Sequence, residues 1–138
     1  GFFYQGEAFL ALSTQQNFTT PFYALFNPTT TDHITLMSAD GSVPSMAGFT
    51  NQGNIGYAYD SPVCGSVQLL GAFKQVAGSH YYTTDPVVHS DLISRGTWIN
   101  SDSGAFVLPL PFVWYVSFIF FYVCHSMGYL RLEFVYCP

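Results

Sequence analysis

The sequence predicts an all-β domain of pseudo-threefold repeat design, closed like a trefoil or a small propeller and carrying short helical turns. Three observations point there. Gly1-Phe2-Phe3-Tyr4-Gln5-Gly6 returns as Gly48-Phe49-Thr50-Asn51-Gln52-Gly53, and His33 returns as His80 at the same offset of 47 residues, so one structural unit has been copied. The apolar runs of the first unit are five to seven residues long, which suits strands and is too short for independent helices. Pro, Asn, Asp and Gly gather between the runs, where hairpins turn. The 138 residues then form a single repeat domain with units at roughly 1–47, 48–95 and 96–138, the last of them degenerate.

In the first unit, residues 6–12 and 21–26 read as strands separated by the polar bridge 13–20. Asn27-Pro28-Thr29-Thr30-Thr31-Asp32 is a dense turn signal, because Pro fixes φ while Asn and Asp side chains bond nearby amides. Residues 33–37 alternate polar and apolar as a return strand, and 38–47, with Gly41 and Pro44, form a loop or one short helical turn. The second unit repeats the plan with strands at 55–59 and 67–73, a turn over 74–79 and a return strand at 80–84. Asp85 at an N-cap and Pro86 at the first helical position open a short helix that runs to Ile93. Residues 96–100 start the third unit one residue later than strict periodicity places it.

That third unit departs from the pattern. No charged residue occurs over 105–123, and 112–123 holds no turn signal. Pro109 and Pro111, the short uninterrupted run and its aromatic and β-branched content weigh against a membrane span. A buried β segment, a surface for association with another chain, and a tail foreign to the gene product all stay open.

Only 8% of the residues are charged and 19% are aromatic, so solubility rests on Ser, Thr, Asn, Gln and Gly, as on many extracellular surfaces. The expected location is secreted, with any leader already removed or never included. Lys74, Arg95 and Arg131 are too few to neutralise a run of phosphates, and the net charge of −5 excludes nucleic acid as a partner. Asn17-Phe18-Thr19 is a glycosylation sequon. Cys64, Cys124 and Cys137 allow at most one internal disulfide, Cys124 and Cys137 being nearest in sequence. With no CxxC, HExxH or regularly spaced His/Cys set, no metal or other cofactor is expected.

His33 and His80 occupy equivalent positions, and pseudosymmetry holds equivalent residues apart, so each imidazole is expected to fix its own hairpin by a hydrogen bond. No GxSxG elbow is present, and Asp32, Asp60, Asp85, Asp91 and Asp102 all fall in turns, where capping explains them. No catalytic residue is assigned. Aromatic faces beside polar side chains suit sugar rings, whose C–H face packs on an aromatic ring while hydroxyls take polar partners. Tyr23, Tyr57, Tyr59, Tyr81, Tyr82 and Trp98 are the aromatic candidates, and alternation lets only one of Tyr81 and Tyr82 face outward. The expected ligand-binding set is Asn27, Asp32, His33, Ser79, His80, Tyr82, Asp85 and Trp98. These residues describe a non-catalytic, lectin-like protein that binds an extracellular glycan. The alternative is an accessory or scaffold subunit that docks on a larger secreted enzyme, or on a second copy, through the apolar 112–123 segment.

The segments Phe22-Tyr23-Ala24-Leu25-Phe26-Asn27-Pro28-Thr29-Thr30-Thr31-Asp32-His33 and His80-Tyr81-Tyr82-Thr83-Thr84-Asp85-Pro86 resemble a family of secreted fungal and bacterial repeat proteins of unknown function. Its hallmark is a Leu-Tyr-Arg-aromatic-Asn-Pro hairpin followed by Asp-His-Phe-Tyr-Thr-Thr, usually in three units joined by a Gly-Tyr-x-x-Glu-Gly strand. The likeness spans about residues 1–107. The chain departs from it at the hairpin Arg, which is Ala24 and then Gly71, at the Glu, which is Gln5 and Gln52, and in lacking a third His-aromatic motif. Members occur alone or joined to secreted hydrolases, so the resemblance implies a binding or scaffolding role.

Overall fold

The computed structural model describes residues 8–110 of the protein. Within them run β1 (Thr19–Asn27), β2 (Asp32–Met37), β3 (Thr50–Tyr59), β4 (Val67–Gln68), β5 (Leu70–Lys74), β6 (Ser79–Thr83), helix α1 (Pro86–Ser94), β7 (Trp98–Asn100) and β8 (Phe106–Val107). The strands form two antiparallel sheets, one of five strands ordered β2-β1-β3-β8-β4 and one of three ordered β6-β5-β7.

The two hairpins match residue for residue. In β1–β2, Phe26 pairs with His33 and Asn27 with Asp32; in β5–β6, Phe73 pairs with His80 and Lys74 with Ser79. Their turns agree too, since Thr31 and Gly78 both close the turn with positive φ, at 58° and 59°. Each hairpin's first strand then takes the next strand on its other edge, β3 in one case and β7 in the other. The link into that next strand differs: a loop precedes β3, whereas α1 precedes β7.

Strand β1 buries Thr19, Phe22 and Leu25, a spacing of three where an undisturbed strand buries every second residue. Its partner β3 is bulged at two places along this pairing. Phe22 faces Gly56 and Tyr23 faces Asn54, then Ala24 faces Gly53 and Leu25 faces Asn51, so Ile55 and Gln52 are extra residues on the β3 side. Sequence chemistry builds both bulges: in Asn51-Gln52-Gly53 and Asn54-Ile55-Gly56 the Asn Oδ1 accepts the Gly backbone N–H at 2.6 Å. At Gly56 a side chain would meet the Leu12 carbonyl oxygen at 2.8 Å, so that close approach needs glycine.

The core between the sheets gathers Phe22, Ala58, Leu69, Ala105 and Val107, with Phe9, Met37 and Tyr82 packed against it. Leu69 is fully buried and separates β4 from β5. The expected single strand over 67–73 is therefore two strands in two different sheets, because a buried Leu with its N–H bonded to the Ala105 carbonyl turns the chain between them.

Other expectations are corrected as well. Residues 8–12 contribute only isolated bridges at Leu10 and Leu12, not a strand, and the 38–47 segment is loop. The helix arrives as expected: Asp85 accepts the N–H groups of Val87 and Val88, and Pro86 opens it. The described residues form two matched hairpin units and two open sheets with no closed barrel, and they do not show a threefold or trefoil arrangement. Past β7 the chain returns to the first sheet as β8, between β3 and β4, and the place where the repeat would put a third hairpin lies outside the described residues. The 112–123 segment, Cys124, Cys137 and the first Gly-Phe motif lie outside the described residues, while Cys64 is disulfide-bonded. No helix among the described residues is long and apolar enough to cross a membrane.

Candidate functional site

The sheets meet where β2 lies against β6, and one carboxylate makes the join. Asp32 ends the first hairpin's turn. Its Oδ1 accepts the backbone N–H of His80 at 2.8 Å, and its Oδ2 lies 2.7 Å from His80 Nδ1. The Asp32 side chain is 4% exposed and that of His80 14%, so the pair is largely out of water, where a satisfied hydrogen bond is strong and an unsatisfied one is costly. His80 is also held by rings, with its centroid 4.5 Å from that of Phe73 and 6.2 Å from that of Tyr82. On its far side, Nε2 lies 3.2 Å from Ser101 Oγ.

Because a carboxylate accepts only, Nδ1 carries the hydrogen that it donates to Asp32 when the ring is neutral; Nε2 is then an acceptor for the Ser101 hydroxyl. Ser101 is itself fixed, its N–H donating to the Gly71 carbonyl at 2.9 Å. His89 Nε2 lies 3.0 Å from that same carbonyl and donates to it. The Gly71 N–H donates to Asp102 Oδ1 at 3.0 Å, and Asp102 Oδ2 accepts from Gln68 Nε2 and Asn100 Nδ2. A Cβ on Gly71 would stand 2.0 Å from the Ser101 carbonyl oxygen, so the position that carries Arg in the resembling motif has no room for a side chain here.

Tyr82 completes the join. Its hydroxyl accepts the Thr35 N–H at 3.3 Å, and burial pushes its pKa above the usual phenol range. The neighbouring Thr35 hydroxyl is buried and has no partner among the described residues.

The expected site residues thus separate into three groups. Asp32, His80 and Tyr82 come together at the join. Asn27, His33 and Asp85 do not: Asn27 Oδ1 caps its turn by accepting from Thr29 and Thr30, and Asp85 caps α1. His33 sits exposed over Phe26, centroids 4.7 Å apart, with no side-chain hydrogen bond among the described residues, contrary to the expected hairpin-fixing bond.

Ser79 and Trp98 fall in the third group, on the other face of the three-stranded sheet. Both pair with Lys74, so they share a face with Tyr81 and Asn100. Tyr81 and Trp98 meet edge to face at 6.5 Å, and the Lys74 ammonium lies 5.7 Å from the Trp98 ring centroid. Tyr81, Trp98 and Lys74 are half-buried, with Asn100 exposed beside them. Asn17 is exposed in a turn, while the Thr19 hydroxyl of its sequon is tied to the Gln16 backbone through both N–H and carbonyl.

Sequence reasoning missed Ser101, and read Asp102 only as a turn residue and Gly71 only as the place of the motif's Arg. Nothing in Asn100-Ser101-Asp102-Ser103-Gly104 marks it as more than a loop, and only the return of β7 to β5 carries it to His80. No group of three or more His, Cys, Asp or Glu side chains is placed to hold a metal ion among the described residues.

Comparison with known protein families finds a match over residues 1–108 to a family described as a domain of unknown function (DUF5648). No curated protein and no solved structure matches the chain.

Proposed function

Since the chain belongs to the DUF5648 family, whose description gives no activity, we propose from the geometry that it is a lectin-like, secreted carbohydrate-binding protein. The observation that supports this reading is the Tyr81–Trp98 pair, a ring edge against a ring on one sheet face, both half-buried. Lys74 holds one side of the indole, and Ser79 and Asn100 stand on the same face as hydrogen-bonding groups for sugar hydroxyls. Tyr82 does not belong to this shelf, because it faces the other sheet; Tyr81 takes its place. The weakly charged composition accords with secretion.

Asp32 and His80 act here as supports that hold β6, and so Tyr81, in place. A glycan array probed with the purified protein tests the reading. Binding is expected for the wild type and falls by about tenfold or more in Trp98→Ala and in Tyr81→Ala, each lost ring costing roughly 1.4 kcal/mol. No sugar signal, together with co-purification of a larger secreted enzyme, replaces the lectin with the scaffold reading.

A further inference from the structure

We infer that Asp32, His80 and Ser101 form a nucleophilic relay, with Ser101 Oγ able to accept the acyl group of a carboxylic ester. The three side chains stand in series, with Asp32 Oδ2 2.7 Å from Nδ1 and Ser101 Oγ 3.2 Å from Nε2. Three roles that acyl transfer needs are filled. The buried carboxylate fixes the tautomer, Phe73 and Tyr82 fix the ring, and the unprotonated Nε2 lies within reach of the hydroxyl proton. The relay draws on three separate chain segments, so it is a product of the fold and leaves no local sequence motif.

Two further features bear on Ser101. Its backbone is clamped to Gly71 by a 2.9 Å hydrogen bond and by the contact that excludes any side chain there, which keeps the hydroxyl at a set distance from His80. The next two backbone N–H groups, of Asp102 and Ser103, donate to nothing among the described residues. They are the nearest in the chain for an oxyanion that develops on an acyl carbon bonded to Ser101, a role the amide after a nucleophile commonly fills.

The chemistry balances without an added oxidant or metal. Ser101 Oγ forms a bond to the ester carbonyl carbon as its proton passes to His80 Nε2, and Asp32 stabilises the imidazolium. The C–O bond to the alcohol breaks as Nε2 returns the proton to the leaving oxygen. Water then attacks the acyl-serine, giving its proton to Nε2 and on to Ser101 Oγ. The net change is ester plus water to carboxylic acid plus alcohol.

This inference does not rest on sugar binding, which uses the other sheet face. The test treats the full chain with p-nitrophenyl acetate and, separately, with a fluorophosphonate. Release of p-nitrophenolate, as a burst or as turnover, is expected to fall by about 100-fold or more in Ser101→Ala. The phosphonate adduct is expected on Ser101. Ser101 is half-buried and donates no core packing, so the alanine variant keeps its fold, and an unchanged circular dichroism spectrum and melting curve verify that. Asp32→Asn, read with the adduct rate as well as stability, should slow labelling while leaving Ser101 present. Equal p-nitrophenolate release from wild type and Ser101→Ala, or an adduct absent from Ser101, overturns the relay.

Discussion

Asp32 and His80 are partners across the two hairpins: one carboxylate accepts both the backbone N–H and the ring of a residue 48 positions further along the chain. His33 occupies the place in its own hairpin that His80 occupies in the other, over a phenylalanine at nearly the same distance, yet it meets no carboxylate among the described residues. Position within the hairpin is therefore the same for the two histidines, and the neighbouring sheet makes the difference.

Asp32→Ala is expected to cost about 3 kcal/mol, because it leaves a backbone N–H and an imidazole largely buried without an acceptor. His33→Ala removes only an exposed ring contact and should cost under about 1 kcal/mol. Urea unfolding of the two variants reads the contrast directly. Equal losses would mean that the join carries no special weight.

Gly71→Ala should destabilise by about 2 kcal/mol or more. The new methyl meets the backbone carbonyl of Ser101, which yields only if β7 shifts away from β5. A crystal structure or amide exchange at Ser101 would show that shift, and wild-type stability in the variant would contradict the packing described.

Thr31 is a β-branched residue in the left-handed region, where its counterpart in the other hairpin is Gly78. The strain of roughly 1–2 kcal/mol exceeds the entropy cost of roughly 0.5–1 kcal/mol that glycine adds. Thr31→Gly is therefore expected to raise stability by about 0.5 kcal/mol, seen as a higher urea midpoint with an unchanged slope.

Tyr82 sets an alkaline limit. Its pKa is raised above 10.0, chiefly by burial, so the folded state keeps the phenol protonated where the unfolded chain ionises. The unfolded chain binds fewer protons above pH 10, and stability should fall as pH rises from there through the folded-state value. Below pH 10 this group makes no difference. Tyr82→Phe should flatten that alkaline decline relative to wild type, at the cost of about 1 kcal/mol for the lost Thr35 hydrogen bond. An identical alkaline slope in both proteins would contradict the assignment.

Much of the fold was legible in the sequence because it is written in local chemistry. The turn at 27–32, the alternation of 33–37 and the Asp85-Pro86 helix start are each decided within a few residues, and all three appear where expected. The division of 67–73 into two strands was not legible, since it depends on Leu69 finding a pocket made by Ala105 and Val107, far along the chain. Nor were the paired bulges of β3 foreseen, although two successive Asn-x-Gly triplets carry their chemistry in plain view. Asp32 and His80 both belong to the expected ligand-binding set, but as a turn carboxylate and a hairpin histidine of two different units. Their partnership, and the arrival of Ser101 beside them, exist only once two hairpins dock, and no spacing within one hairpin records that.

A double-mutant cycle between Asp32 and His80, measured by urea unfolding of Asp32→Ala, His80→Ala and the double variant, tests the join most directly. A coupling of about 2 kcal/mol or more is expected, the double variant losing little beyond either single one. Losses that simply add would mean that the two side chains act independently, and the docking of the hairpins would need another cause.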